Sequence, residues 1–188
     1  MPMIAAVRGA EALAHALQSP VRVIFLLGGD VFTLPEWVRQ THKSGRHAFV
    51  HLDLVEGLSR DAAGVRALAR IVQPAGVLST RAPLLRVAAD LGMQTVLRMF
   101  MVDRSSLETG ARMVKAGAPD FVEIMPGLVT RAIVQMRQCI AQPVIAGGMM
   151  TCVQDVQLAL HAGACAVSTS SEALWGIRPQ DGRMAEED

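Results

Sequence analysis

Two short segments, Ile145-Ala-Gly-Gly148 and Val167-Ser-Thr-Ser-Ser171, combine an apolar β-branched run with small residues at its end. Glycine lets backbone N–H groups come close to an anion, and a following helix N-terminus adds unpaired donors and a favourable dipole. The chemistry this predicts is capture of a phosphoryl group by Gly147, Gly148, Ser168, Thr169 and Ser170. A second set of polar residues interrupts other apolar runs. His51 and Asp53 are two apart, as are Ser79 and Arg81, and side chains two apart on a strand share a face. Arg98 and Glu123 each stand inside an apolar run, and Gly127 follows one. Buried charges need partners. Asp53 and Glu123 could accept hydrogen bonds from hydroxyl groups, and Arg98 could pair with a phosphate or carboxylate.

These residues need elements to hold them. Eight apolar runs follow one another: 4–7, 21–27, 48–54, 76–78, 95–100, 121–125, 144–146 and 166–168. Amphipathic stretches separate them. Ser59 precedes a helix over 60–72, Ser105 one over 107–116 that Gly117 stops, and Thr151 one over 152–162 that Gly163 stops. Gly45 and Gly92 close two more. Strict β-α alternation predicts a parallel sheet. Eight units predict a small (β/α)8 (TIM) barrel with short loops, over an open doubly wound sheet. In such a barrel charged residues belong at the C-terminal mouth, and the loops after strands seven and eight are the usual phosphate site. One barrel domain over 1–178 and a polar tail over 179–188 are expected.

Composition narrows the function. With 51% apolar residues in 188, the chain can bury a core, yet no run reaches the length of a membrane span. The start lacks the basic and long apolar regions of a signal peptide. Three cysteines (Cys139, Cys152 and Cys165), with no C-x-x-C pair, fit reduced thiols in the cytoplasm and no metal site. No cofactor is implied. A net charge of +1 does not describe a surface coated with cations for nucleic acid. The Arg residues on helices (Arg66, Arg70, Arg86, Arg112, Arg131 and Arg137) read as solvated.

The segments Val50-His-Leu-Asp-Leu-Val-Glu-Gly57, Gly76-Val-Leu-Ser-Thr-Arg81, Arg98-Met-Phe100, Pro119-Asp-Phe-Val-Glu123, Met125-Pro-Gly127, Ala146-Gly-Gly148 and Ala166-Val-Ser-Thr-Ser170 occur in this order. Together they resemble the glycerol-3-phosphate-responsive antiterminator family of bacteria. The resemblance covers about Ile4 to Trp175. It implies a cytoplasmic, barrel-shaped regulator with glycerol 3-phosphate as effector. Its partner would be the leader of a messenger RNA, where it prevents a terminator hairpin from stopping transcription. It also carries over His51, Asp53, Ser79, Arg81, Arg98, Glu123, Gly147, Gly148, Ser168, Thr169 and Ser170 as one ligand-site set. The chain departs from the family at Ser171, where Asn is frequent, at Leu97, where a polar residue is frequent, and in its poor match over Leu27-Gly-Gly-Asp30. It has only two lysines, Lys43 and Lys115, where the family's helices carry many.

Two functions are therefore expected to compete. One is a metabolite-sensing RNA regulator, with room for self-association. The other is a phosphosugar-metabolising barrel enzyme, with Asp53 or Glu123 as general base and His51 as acid. Structural roles compete for the same residues. Arg98 and Glu123 could be an internal ion pair, His51 a satisfied core histidine, Gly147 and Gly148 a tight turn, and Ser168 to Ser171 a helix cap. Glu172 already complements the dipole of any helix that follows.

Overall fold

A computed structural model describes residues 2–177; Met1 and 178–188, which include the expected tail, lie outside the described residues. The strands are β1 (Met3–Val7), β2 (Val23–Leu26), β3 (His47–His51), β4 (Gly76–Ser79), β5 (Gln94–Phe100), β6 (Phe121–Met125), β7 (Val144–Gly147) and β8 (Ala166–Thr169). They pair in parallel in sequence order, and β8 returns to β1, so the sheet is a closed barrel. The helices are α1 (Ala10–Gln18), α2 (Leu34–Lys43), α3 (Ala62–Ile71), α4 (Ala82–Asp90), α5 (Arg104–Gly117), α6 (Thr130–Cys139) and α7 (Val153–His161). Each connects two neighbouring strands. After β8 the described residues make a three-residue 3-10 turn, Glu172–Leu174. The helix expected to follow the second glycine/serine segment is not there among the described residues.

Alternation along each strand sorts the residues into two cores. Met3, Ala5, Val7, Ile24, Leu26, Val50 and Val77 face the helices and pack with their apolar sides. Ile4, Phe25, Phe49, Leu78, Val96 and Ile145 point inward and fill the lower barrel. The Phe25 and Phe49 rings meet at 5.7 Å, tilted by 50°. Gly76 exists for them, since a Cβ there would lie 2.3 Å from the Phe49 ring. One step up, the inward positions of β3, β5, β6 and β8 turn polar: His51, Arg98, Glu123 and Ser168. The barrel is thus filled by oil at its base and by charge and hydroxyl at its mouth.

Helix ends show where the sequence reading slipped. α3 starts at Ala62, not Arg60, because the Asp61 carboxylate accepts the Gly64 amide at 2.9 Å. α5 starts earlier than expected, capped by Asp103 with Ser106 in a reciprocal box. It also runs through Gly117 and ends on Ala118, which takes the left-handed conformation at φ 42°.

Candidate ligand site at the barrel mouth

The strand order brings the two glycine/serine segments side by side, as Gly147 pairs with Ser168. Beyond them, Gly148 to Thr151 and Ser168 to Ser171 line one cavity of about 420 Å³. That is within the size range of small-molecule sites. Its other walls include Ala6, Arg8, Leu27, Arg98, Glu123 and Met125. Gly148 has φ +74°, a conformation open to glycine, and its place would bring any Cβ to 2.7 Å from Met125. The amides of Gly148 and Ser170 donate to no other described residue. Three amides further along these turns are spent: Thr151 and Cys152 donate to the Asp155 carboxylate at 2.8 and 3.0 Å, and Ser171 donates to the Thr169 hydroxyl at 3.0 Å. The start of α7 is therefore capped by its own Asp155, and the free donors sit in the loop before it.

Gly147 has a different reason to be glycine. A Cβ there would stand 2.4 Å from Glu123 Oε1 and 2.6 Å from Ser168 Oγ. The residue leaves space for a buried trio. Arg98 Nε donates to Glu123 Oε2 at 2.6 Å, and the Ser168 hydroxyl donates to Oε1. Glu123 is fully buried and Arg98 7% exposed, so the pair is shielded from water. Both carboxylate oxygens are engaged, which makes Glu123 a strut that aims Arg98 across the mouth. Gly127 turns out to serve packing. Its amide donates to Gly147 O at 2.6 Å, and a Cβ would collide with the Gly147 nitrogen at 2.9 Å. It does not border the cavity.

The expected residues on β3 and β4 form a second cluster. His51 closes β3, buried and inward. Asp53 is not on the strand with it but on a 3-10 turn, Leu52–Leu54, that curls back over it. Asp53 Oδ2 accepts the Ser79 hydroxyl and the Thr80 amide, each at 2.9 Å. His51 Nδ1 lies 3.7 Å from the same oxygen, beyond a hydrogen bond. His51 Nδ1 and Asp53 Oδ1 are both buried and unpartnered. Burial, and after it the Arg98 charge, pushes the His51 imidazole down to about 4. It is neutral near pH 7, so the pair is not an ion pair there. Ser79 does not face inward as expected, because Leu78 does. It sits at the outward-facing step and ties down Asp53. Arg81 also leaves the inner face. It stands half-exposed just before α4, with Nε 3.5 Å from Asp53 Oδ1, and Nη1 donates to Arg60 O at 3.3 Å.

Thr169 borders the cavity, and its hydroxyl is spent on Met150 O at 2.8 Å. Ser170 is exposed at the cavity edge. The sequence reading missed Arg8, which follows β1 in the inward alternation of Ile4 and Ala6. It missed Thr80, between two residues it chose. It also missed Asp155, three residues after the N-cap Cys152, which is the spacing of a capping box.

Residues 3–175 match the family described as glycerol-3-phosphate responsive antiterminator. The chain belongs to that family. It is 33% identical to an uncharacterized protein, YgcP, of Escherichia coli K12, over 94% of this chain and 92% of the relative. It is 29% identical to the glycerol uptake operon antiterminator regulatory protein of Listeria monocytogenes, with a TM-score of 0.89 over 93% of this chain and 95% of that one. A glycerol uptake operon antiterminator-related protein of Thermotoga maritima is 26% identical, with a TM-score of 0.82 over 92% of this chain and 96% of that one. Barrel aldolases superpose at far lower identity, 9% in one case, and share the fold alone.

Proposed function

We propose that this antiterminator family member senses glycerol 3-phosphate and, in the cytoplasm, acts on a leader messenger RNA to keep a terminator hairpin from halting transcription. The observation that carries the ligand half is the cavity where two neighbouring turns present the unspent amides of Gly148 and Ser170 beside Arg98. Amides and a guanidinium together suit a phosphoryl group. The polyol end would reach toward His51 Nδ1 and Asp53 Oδ1, whose hydrogen-bonding capacity is unmet. A hydroxyl, both donor and acceptor, matches a neutral imidazole beside a carboxylate.

Family membership supports the RNA half. A ligand favours the RNA-competent state only through unequal affinity for the two states. The test has two arms. Isothermal calorimetry with glycerol 3-phosphate, glycerol and inorganic phosphate should show that only the ester binds tightly, and Gly148→Ala should abolish that binding. An electrophoretic shift with the leader transcript of a glycerol-utilisation operon should strengthen when glycerol 3-phosphate is added. Equal binding of glycerol, or a ligand-independent shift, would overturn the reading.

One observation favours the enzyme as second reading: Asp53 Oδ1, beside a neutral His51, has no hydrogen-bond partner and only the Arg81 guanidinium 3.5 Å away, as a general base and its acid partner would be. Glu123, tied by Arg98 and Ser168, is less suited to that task. Proton exchange of glycerol 3-phosphate or triose phosphates with deuterated water, followed by NMR, decides it. Unchanged spectra remove the enzyme.

A further inference from the structure

The face opposite the ligand mouth carries a charge pattern that the ligand site does not use. There the α1–β2 and α2–β3 turns meet. Arg22 and His47 stand next to each other, as the His47 amide donates to Arg22 O at 2.9 Å. His42 and Lys43 end α2 one turn away. All four are exposed. Arg46 staples the corner: its guanidinium donates to Ser19 O at 2.7 Å and to Val21 O at 3.0 Å. The cations are thus displayed on a braced surface. Arg70, Lys115 and Arg137, exposed in the last turns of α3, α5 and α6, extend the pattern around the same end of the barrel.

Acids are scarce at that end. No Asp or Glu occurs in 18–23, 41–47, 72–76 or 162–166. Asp120, in the α5–β6 turn, is tied to the Thr95 amide and hydroxyl, each at 2.8 Å. Asp90 closes α4. The mouth is the reverse. Asp30, Glu56, Asp61, Asp103, Asp155 and Glu172 crowd its loops, against exposed Arg8, Arg60, Arg81 and Arg131. Helix polarity explains part of the asymmetry, since cations suit helix C-termini. It does not explain Arg22 and His47, which lie outside helices.

We infer that the RNA backbone docks on the face at the strand N-terminal ends, centred on Arg22 and Lys43, while the mouth stays with the small ligand. This rests on the RNA reading above and adds where RNA sits. The phosphates of a polyanion are drawn to clustered cations on an open surface. Ligand and RNA therefore occupy opposite ends of one barrel and do not compete for space.

Fluorescence anisotropy of a labelled leader transcript over a series of salt concentrations tests it. R22Q/K43Q should bind about tenfold more weakly at low salt, and its slope of log affinity against log salt should be shallower by about two, one for each cation removed. R60Q/R131Q, at the mouth rim, should match wild type. A thermal shift with glycerol 3-phosphate, equal to that of wild type, shows that R22Q/K43Q is folded. R70Q/K115Q is the second base-face variant should the first misfold. Wild-type binding with unchanged base-face variants overturns this inference alone, as does a loss confined to R60Q/R131Q. A wild-type protein that binds no RNA at any salt overturns this inference and the RNA half of the proposed function together, and calorimetry still judges the ligand half.

Discussion

Among single residues, Glu123 has the largest expected effect. It sits buried between Arg98 and Ser168, with Gly147 shaped to admit it. Glu123→Gln keeps the shape and removes the countercharge. Arg98 is then a buried cation without a partner, and breaking such a pair costs about 3–5 kcal/mol. Urea unfolding should show a loss of that order, while a change under about 1 kcal/mol would mean that water reaches Arg98. His51 gives a pH signature. Its folded pKa of about 4 lies below the ordinary 6.5, so the unfolded chain binds the proton more readily. The sign follows: stability is fully present above pH 6.5 and is lost as pH falls through the window down to about 4. The loss is about 3 kcal/mol at most. His51→Gln should flatten the pH dependence in that window, as read by melting temperature. Parallel curves for the two proteins would place the imidazole in contact with water.

At the level of elements, the helix caps carry the testable energetics. Asp61→Ala removes the acceptor for the Gly64 amide and should cost about 1 kcal/mol. Ala118→Gly runs the other way. Ala118 ends α5 with φ 42°, where a side chain is strained and glycine is not, so the variant should gain about 0.5–1 kcal/mol. These ends also show what was legible in the sequence. Strand positions came through well, because inward and outward apolar residues alternate in every run. Gly45, Gly92 and Gly163 stop helices as read, each at positive φ. Gly117 misled, because its own requirement is tertiary: a Cβ there would press on Ala82 at 2.8 Å. The site divided in the same way. Arg98, Glu123 and Ser168 meet as their inward alternation implied, and Gly148 stands beside them. Asp53 and Arg81 lie off the strands, since strict alternation stops where a strand ends and the chain curls, and Ser79 and Thr169 fall on the outward step of β4 and β8. The partners of a curled segment depend on its neighbours, and neighbours are not written in local spacing.

At the scale of the whole molecule, the barrel divides its labour by height. The lower interior is aromatic and aliphatic, and the upper interior is an ionic trio with an unsatisfied His–Asp pair above the β3 end. A barrel selected for stability alone would continue the apolar layers upward, because buried ion pairs replaced by well-packed apolar residues frequently leave a protein as stable or more so. Charge retained at one end fits the ligand site proposed there, since such a site gives up stability for binding. The triple variant R98M/E123L/S168A tests this directly. It removes the charge, the countercharge and the hydroxyl together, so no partner is left stranded. Without ligand its melting temperature should equal or exceed that of wild type. With saturating glycerol 3-phosphate, wild type should gain about 2.7 kcal/mol at a hundredfold excess over the dissociation constant, and the variant nothing. A variant that melts lower but keeps its ligand shift would reverse the argument. The trio would then be scaffolding, and the phosphoryl group would be held by the loop amides alone.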